Sequence, residues 1–223
     1  VKIAVLVPCY KRPEYTALCL QSLEEAHNTQ DITYFLVDDG SQDNTSVVLY
    51  NSKLNSIIRV NETNQGLRSV ILQFFNDTHE FDIIAKMDND CTVPNHWLDE
   101  LVKFLERDLV DIISPNVLPS NAAFKIGKES DVKNLRLAHT VGGLWCMRRS
   151  LLNDIQFEDI AGDGIRGAFP VLQQIIIEKD ARIGWATNVN VEDIGHYSGQ
   201  HPKHIKSREH LEYSQDVGRR VAW

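Results

Sequence analysis

Apolar and polar residues along this chain come in blocks. Residues 1–7 (VKIAVLV) are almost unbroken hydrocarbon, the pattern of a strand buried on both faces of a parallel sheet. Pro8 is expected to end that strand, because proline has no N–H to give to a ladder. Residues 13–27 read as a helix with Pro13 in its first turn and an apolar stripe of Ala17, Leu18, Leu20 and Leu23. Residues 32–37 read as a second strand, closed by the turn formers Asp38-Asp39-Gly40-Ser41. A short helix over 44–55, a strand over 56–60 and a longer helix over 66–76 follow. Residues 81–87 read as a fourth strand, closed by Asp88-Asn89-Asp90. A helix over 94–107 and a strand over 110–114 complete the regular half. This is the βαβ rhythm of an open, mostly parallel sheet. Beyond it, 116–137 reads as polar loop, 140–148 as a strand, 169–179 as a helix, 186–192 as a short strand and 202–220 as a polar helix or extended tail.

The chain has 223 residues, 43% hydrophobic and 24% charged, enough for one domain with a substantial core. Lys plus Arg is 23 and Asp plus Glu is 31, a net charge of −8, which argues against general nucleic-acid binding. No apolar run reaches the ~18–20 residues that span a bilayer, and no signal peptide is expected where a strand-like run meets Pro8 at once. Cys9, Cys19, Cys91 and Cys146 are scattered without a C-x-x-C pair, so reduced thiols and a cytoplasmic location are expected. The tail carries Lys203, Lys206, Arg208, Arg219 and Arg220 against Glu209, Glu212 and Asp216. That mild basic excess suits a diphosphate or peripheral contact with an anionic lipid.

Ligands of open α/β sheets bind outside the carboxyl ends of the strands. Three such ends carry a dense polar load here: Pro8, Tyr10 and Arg12 after the first strand, Asp38 to Ser41 after the second, and Asp88 to Asp90 after the fourth. Asp88-Asn89-Asp90 places two carboxylates one residue apart. Many surface turns contain such a pair, but at the end of a buried strand like charges are tolerable when a hard cation sits between them.

Seven segments together carry a resemblance: VLVPCYKRPE (5–14), FLVDDGSQDNT (35–45), NETNQGL (61–67), AKMDNDCTVPNHWL (85–98), VGGLWCMRRSLL (141–152), GDG (162–164) and DIGH (193–196). In this order and spacing they resemble a family 2 glycosyltransferase of GT-A fold. The resemblance implies an inverting enzyme that moves one sugar from a nucleotide donor, UDP-sugar first, to a hydroxyl acceptor. It implies a nucleotide-sugar half over 1–115, an acceptor half over 116–200 and a tail over 201–223. Pro8 and Tyr10 match positions lining the base pocket, Asp39 the carboxylate that reads the base, and Gly66 and Arg68 the segment approaching base and phosphates. Asp90 matches the direct ligand of Mn²⁺ or Mg²⁺, Asp88 a ligand of ribose or metal-bound water, and His196 a late histidine completing the metal shell. Arg12 and Asn89 flank these positions and are expected with them among the nucleotide-sugar contacts. Asp163 matches the general base, with Asp159 and Glu158 as rivals, since the usual acidic pair is replaced by Gly162-Asp163. Gly142 and Gly143 would let backbone approach the sugar, and Trp145 would stack on it or pack in the core.

The family's processive synthases carry a Q-x-x-R-W motif that is missing here, which favours single transfer. Gly162-Asp163-Gly164-Ile165-Arg166-Gly167 has the letters of a dinucleotide fingerprint but lies outside the first βαβ unit. Two other readings stand beside the transferase. One is a sugar-phosphate nucleotidyltransferase, which would need a glycine-rich loop where Pro8-Cys9-Tyr10-Lys11 stands. The other is a nucleotide-sugar-binding module without turnover.

Overall fold

The computed structural model describes residues 1–118, 128–157 and 168–195. In chain order the elements are β1 (Lys2–Cys9), α1 (Pro13–Glu25), β2 (Asp31–Asp38), α2 (Thr45–Tyr50), β3 (Ser56–Val60), α3 (Leu67–Asp77), β4 (Ile83–Lys86) and β5 (Cys91–Thr92). They continue with α4 (Trp97–Glu106), β6 (Ile112–Leu118), β7 (Lys128–Glu129), β8 (Leu135–Ala138), β9 (Trp145–Arg148), a single 3₁₀ turn (Arg149–Leu152), α5 (Ala168–Lys179) and β10 (Ile183–Asp193). The strands form one sheet in the order β3-β2-β1-β4-β9-β6-β10-β8-β7, with β5 paired to β10 off this path. β3, β2, β1 and β4 are mutually parallel, and β6 is parallel to β10. The mixed α/β class and mostly parallel sheet expected from the block pattern are therefore present.

Burial explains the block pattern. Along β1, Ile3, Val5, Val7 and Cys9 join one core cluster, while Ala4 and Leu6 join the other. The strand therefore needs hydrocarbon at every position. The first cluster takes Cys19, Leu20 and Leu23 of α1 and Trp97, Leu98, Leu101, Val102 and Leu105 of α4. The second takes Val70, Ile71, Phe74 and Phe75 of α3 with Val171, Leu172 and Ile175 of α5. Helices thus cover both faces of the sheet, as a parallel sheet requires.

Several expectations are corrected. Pro8 does not end β1: the strand runs to Cys9, with Pro8 opposite Val37. The Leu6 carbonyl accepts from Met87 and the Cys9 carbonyl from Asp39, so alternate residues face β4 and β2. Pro8 faces the β4 side, where the ladder has already stopped at Leu6 and Lys86, and no ladder bond is lost there. The strand expected over 140–148 is confined to β9, and it runs antiparallel between β4 and β6. The helix expected over 44–55 shortens to α2. The segment 116–137, expected as loop, continues β6 to Leu118 and supplies β7 and the start of β8. The strand expected over 186–192 is the end of a longer one, β10, which contains a register shift between Ala186 and Asn190. The tail over 202–220 lies outside the described residues.

Candidate functional site

The carboxyl ends of β1, β2 and β4 open on one edge of the sheet, because the three strands are parallel neighbours. Their loops are bonded together. The Lys11 amide donates to Ser41 Oγ at 2.8 Å, joining the ends of β1 and β2. Arg12 Nη1 donates to Asp90 Oδ2 at 2.9 Å, joining the ends of β1 and β4. Lys11 and Arg12 both hold left-handed backbone, with φ of 59° and 60°. Non-glycine residues there cost on the order of 1–3 kcal/mol each, and such strain gathers at functional sites. The turn places Arg12 at the start of α1, where its carbonyl accepts from the Tyr15 and Thr16 amides. Its guanidinium carbon lies 5.6 Å from the Tyr15 ring centroid. Tyr10 is exposed, with Lys11 Nζ 5.2 Å from its ring centroid.

Asp38 and Asp39 part company at the end of β2. Asp38 accepts from the Ser41 amide and hydroxyl and builds the turn. Asp39 Oδ1 accepts from Asn61 Nδ2 at 2.8 Å and from the Gln65 amide at 2.8 Å, and its Oδ2 accepts from the Gly66 amide at 2.9 Å. Three of about four acceptor positions on that carboxylate are thus taken by the segment 61–66. Gly66 enters the site through its amide, and Arg68 lies buried in the first turn of α3.

The Asp88-Asn89-Asp90 turn sends its three side chains to different partners. Asp88 takes an ion pair from Lys86, whose side chain is only 4% exposed. Lys86 Nζ also donates to the Gly143 carbonyl at 2.8 Å. A Cβ on Gly143 would stand 2.5 Å from Asp88 Oδ2, so only glycine permits this approach. Asn89 was expected among the donor contacts. Its amide instead donates to Thr16 Oγ1 at 2.8 Å, and the residue is buried, so it fastens the turn to α1. Of the two readings of Trp145 the structure has core packing: its ring is buried against Phe75, centroids 6.1 Å apart, away from any sugar-stacking position.

Asp90 is completed from the far end of the chain. β5 pairs antiparallel with the end of β10, setting Asp193 opposite Cys91. The Asp90 carbonyl accepts from the Ile194 amide at 2.9 Å and the Gly195 amide at 3.3 Å. Candidate ligand atoms of Asp90, Cys91 and Asp193 lie within 4.8 Å of one another. A Cβ on Gly195 would collide with the Asp90 carboxylate, so glycine keeps that approach clear. Burial, then the charges of Asp88 and Asp90, pushes the Cys91 thiol well above its ordinary pKa. A sulfur ligand is soft and suits a hard cation poorly. Two carboxylates remain, and oxygen donors suit a hard cation such as Mn²⁺ or Mg²⁺. The residues present therefore fit the divalent ion that the resemblance implies.

Lys86 and Asp193 were missed at the level of sequence. The signal for Lys86 was a lone charge inside the apolar run 83–87. Asp193 stood in the quoted DIGH segment, where His196 took precedence. Asp163, its rivals Asp159 and Glu158, and His196 lie outside the described residues. All four cysteines are free and buried. Among the described residues no helix is long and apolar enough to cross a membrane.

Comparison with known proteins follows the same lines. The chain is 32% identical over 112 residues to an undecaprenyl-phosphate 4-deoxy-4-formamido-L-arabinose transferase of Photorhabdus laumondii subsp. laumondii, a match covering 48% of this chain and 34% of that protein. It superimposes on S. aureus TarS 1–349 in complex with UDP-GlcNAc with a TM-score of 0.66 at 20% identity, over 92% of this chain and 62% of that one. It also superimposes on GalNAc-T7 with UDP, GalNAc and Mn²⁺, with a TM-score of 0.66 at 14% identity, over 89% and 44%. The chain thus spans about a third of the curated relative and about three fifths of TarS 1–349. These likenesses show the GT-A fold. The model for "Glycosyl transferase family 2" matches residues 4–156, most of the chain and all three polar strand ends, and the chain belongs to that family.

Proposed function

We propose that this chain transfers a single sugar from a nucleotide diphosphate sugar, UDP-sugar first, to a hydroxyl acceptor with inversion at the anomeric carbon. The observation that carries the reading is the joining of three parallel strand ends around Asp39 and Asp90, with Asp193 brought to the same carboxylate. Asp39 and the exposed Tyr10 offer a polar edge and a ring to a base, with Pro8 behind them. Asp90 and Asp193, joined by His196, would hold Mn²⁺ or Mg²⁺, which when bound neutralises charge on a leaving diphosphate. Asp88, held by Lys86, offers its remaining oxygen to ribose. Asp163 takes the proton from the acceptor hydroxyl. The division into a donor half (1–115), an acceptor half (116–200) and a basic tail (201–223) belongs to the same reading. TarS and GalNAc-T7 are described with UDP-GlcNAc and with UDP, GalNAc and Mn²⁺ respectively, which supports the donor class and the ion. The curated relative is named for undecaprenyl phosphate, which makes a lipid-linked acceptor the first to try beside free saccharides.

The test is a panel of nucleotide sugars with Mn²⁺ and both acceptor classes. Release of nucleoside diphosphate is expected. Release of pyrophosphate instead, or binding without turnover of any donor, sinks the reading. Asp163→Asn should leave donor affinity unchanged while lowering kcat by about a hundredfold or more, the scale of a lost general base.

A further inference from the structure

The two carboxylates of the Asp88-Asn89-Asp90 turn are each held by a cation, and the two cations are held differently. Lys86 is 4% exposed and is gripped on two sides, by Asp88 and the Gly143 carbonyl. Arg12 has a side chain 34% exposed and, among the described residues, one carboxylate partner, Asp90 Oδ2. It projects from a turn of two consecutive left-handed residues, which fixes its backbone, while the side chain is half-buried over the Tyr15 ring. Asp90 is also the carboxylate next to Asp193. A guanidinium and a divalent ion on one Asp90 carboxylate would repel each other.

We propose that Arg12 is a displaceable counterion. It neutralises Asp90 in the free protein, gives up Asp90 when a divalent cation binds, and is then free to meet the diphosphate of the donor. Lys86 keeps Asp88 throughout, so the exchange is confined to Asp90. This rests on the metal-dependent reading above and adds a role for Arg12 beyond contact with the nucleotide. Arg12 is thus a positioning residue in the free protein and a diphosphate ligand in the donor complex.

The test measures Mn²⁺ binding to the whole chain by electron paramagnetic resonance of the free ion, with and without UDP. Removing the competing charge in Arg12→Gln should tighten Mn²⁺ binding without UDP by about fivefold, the scale of one partly exposed ion pair. The same variant should lose the further gain in affinity that UDP gives the wild type. Arg12→Lys keeps the charge and should bind Mn²⁺ as the wild type does. If Arg12→Gln melts early, Arg12→Met, which keeps an apolar stem on the Tyr15 ring, carries the same expectation. Unchanged or weaker Mn²⁺ binding in the neutral variants, or tightening in Arg12→Lys as well, overturns the exchange. Asp90→Asn separates the two ideas. If it loses Mn²⁺ while the neutral variants do not tighten, the exchange fails and the metal reading stands. If it keeps wild-type affinity, the metal reading fails too.

Discussion

Asp90 meets the rest of the protein in three ways: through Arg12, through the amides of Ile194 and Gly195, and through the neighbouring Asp193 carboxylate. That crowding makes Gly195 a sensitive position, although it carries no chemistry of its own. Gly195→Ala should push the Asp90 carboxylate aside and weaken Mn²⁺ binding by at least about tenfold, the range seen when residues behind a metal ligand are altered. Its circular dichroism should stay that of the wild type; Mn²⁺ affinity equal to the wild type's would contradict the geometry. At this scale sequence was a partial guide. It marked Asp39 and Asp90, because adjacent polar residues after an apolar strand are conspicuous. Asn89 and Trp145 were drawn into the donor site because sequence records neighbours along the chain, not the direction a side chain takes. Asn89 turns inward to Thr16, and Trp145 into the core. Lys86 was hidden in a strand whose other members are apolar, and its value comes from Gly143, 57 residues away.

The elements legible in sequence were β1, β2, β3, β4, α1, α3, α4 and α5, most of them long uniform blocks. Those missed or misjudged depend on partners. β5 is two residues long and exists only because the end of β10 lies beside it. β7 and β8 pair with each other, and β8 also with β10. The start of β10 is secured to the start of β6 by Arg182. Its Nε donates to Asp111 Oδ2 and its Nη2 to Asp111 Oδ1, both at 2.9 Å. Those hydrogen bonds first, and the charges of Arg182 and Arg148 after them, hold the Asp111 carboxyl below its usual range. A depressed folded-state pKa means that the unfolded chain takes up the proton first. The contribution is present above the ordinary aspartate value near ~4 and is lost as pH falls through the lower folded value. Arg182→Gln should lower the melting temperature at pH 7 by about 2–4 °C, the equivalent of roughly 1 kcal/mol for a clasp open to salt. It should also flatten the decline below pH 4. An unaltered acid limb in thermal melts from pH 3 to 7 would show that the clasp does not govern it.

To bind the proposed diphosphate, a body of net charge −8 needs a local source of positive charge, and at the strand ends this is Lys11, Arg12 and Lys86 together with any ion on Asp90. UDP with Mn²⁺ at about a hundred times its Kd should stabilise the fold by about 2.7 kcal/mol, or about 5–10 °C in melting temperature. Chelation with EDTA should cancel most of that gain; a shift by UDP that is indifferent to EDTA would remove the ion from the donor site. The general architecture was visible in the chain because alternating strands and helices leave few topologies. The placement of β9 was not, since nothing local says that a strand ending at Arg148 runs backward between two strands that precede it. That placement bears on how the protein is made. A ribosome releases β4 and β6 well before β9 and β10, and until then β4 keeps one border, and β6 both, with unmet amides and carbonyls. The nascent chain is thus most prone to sticking to its neighbours during that interval, and any shortened version ending before residue 145 would carry the hazard permanently.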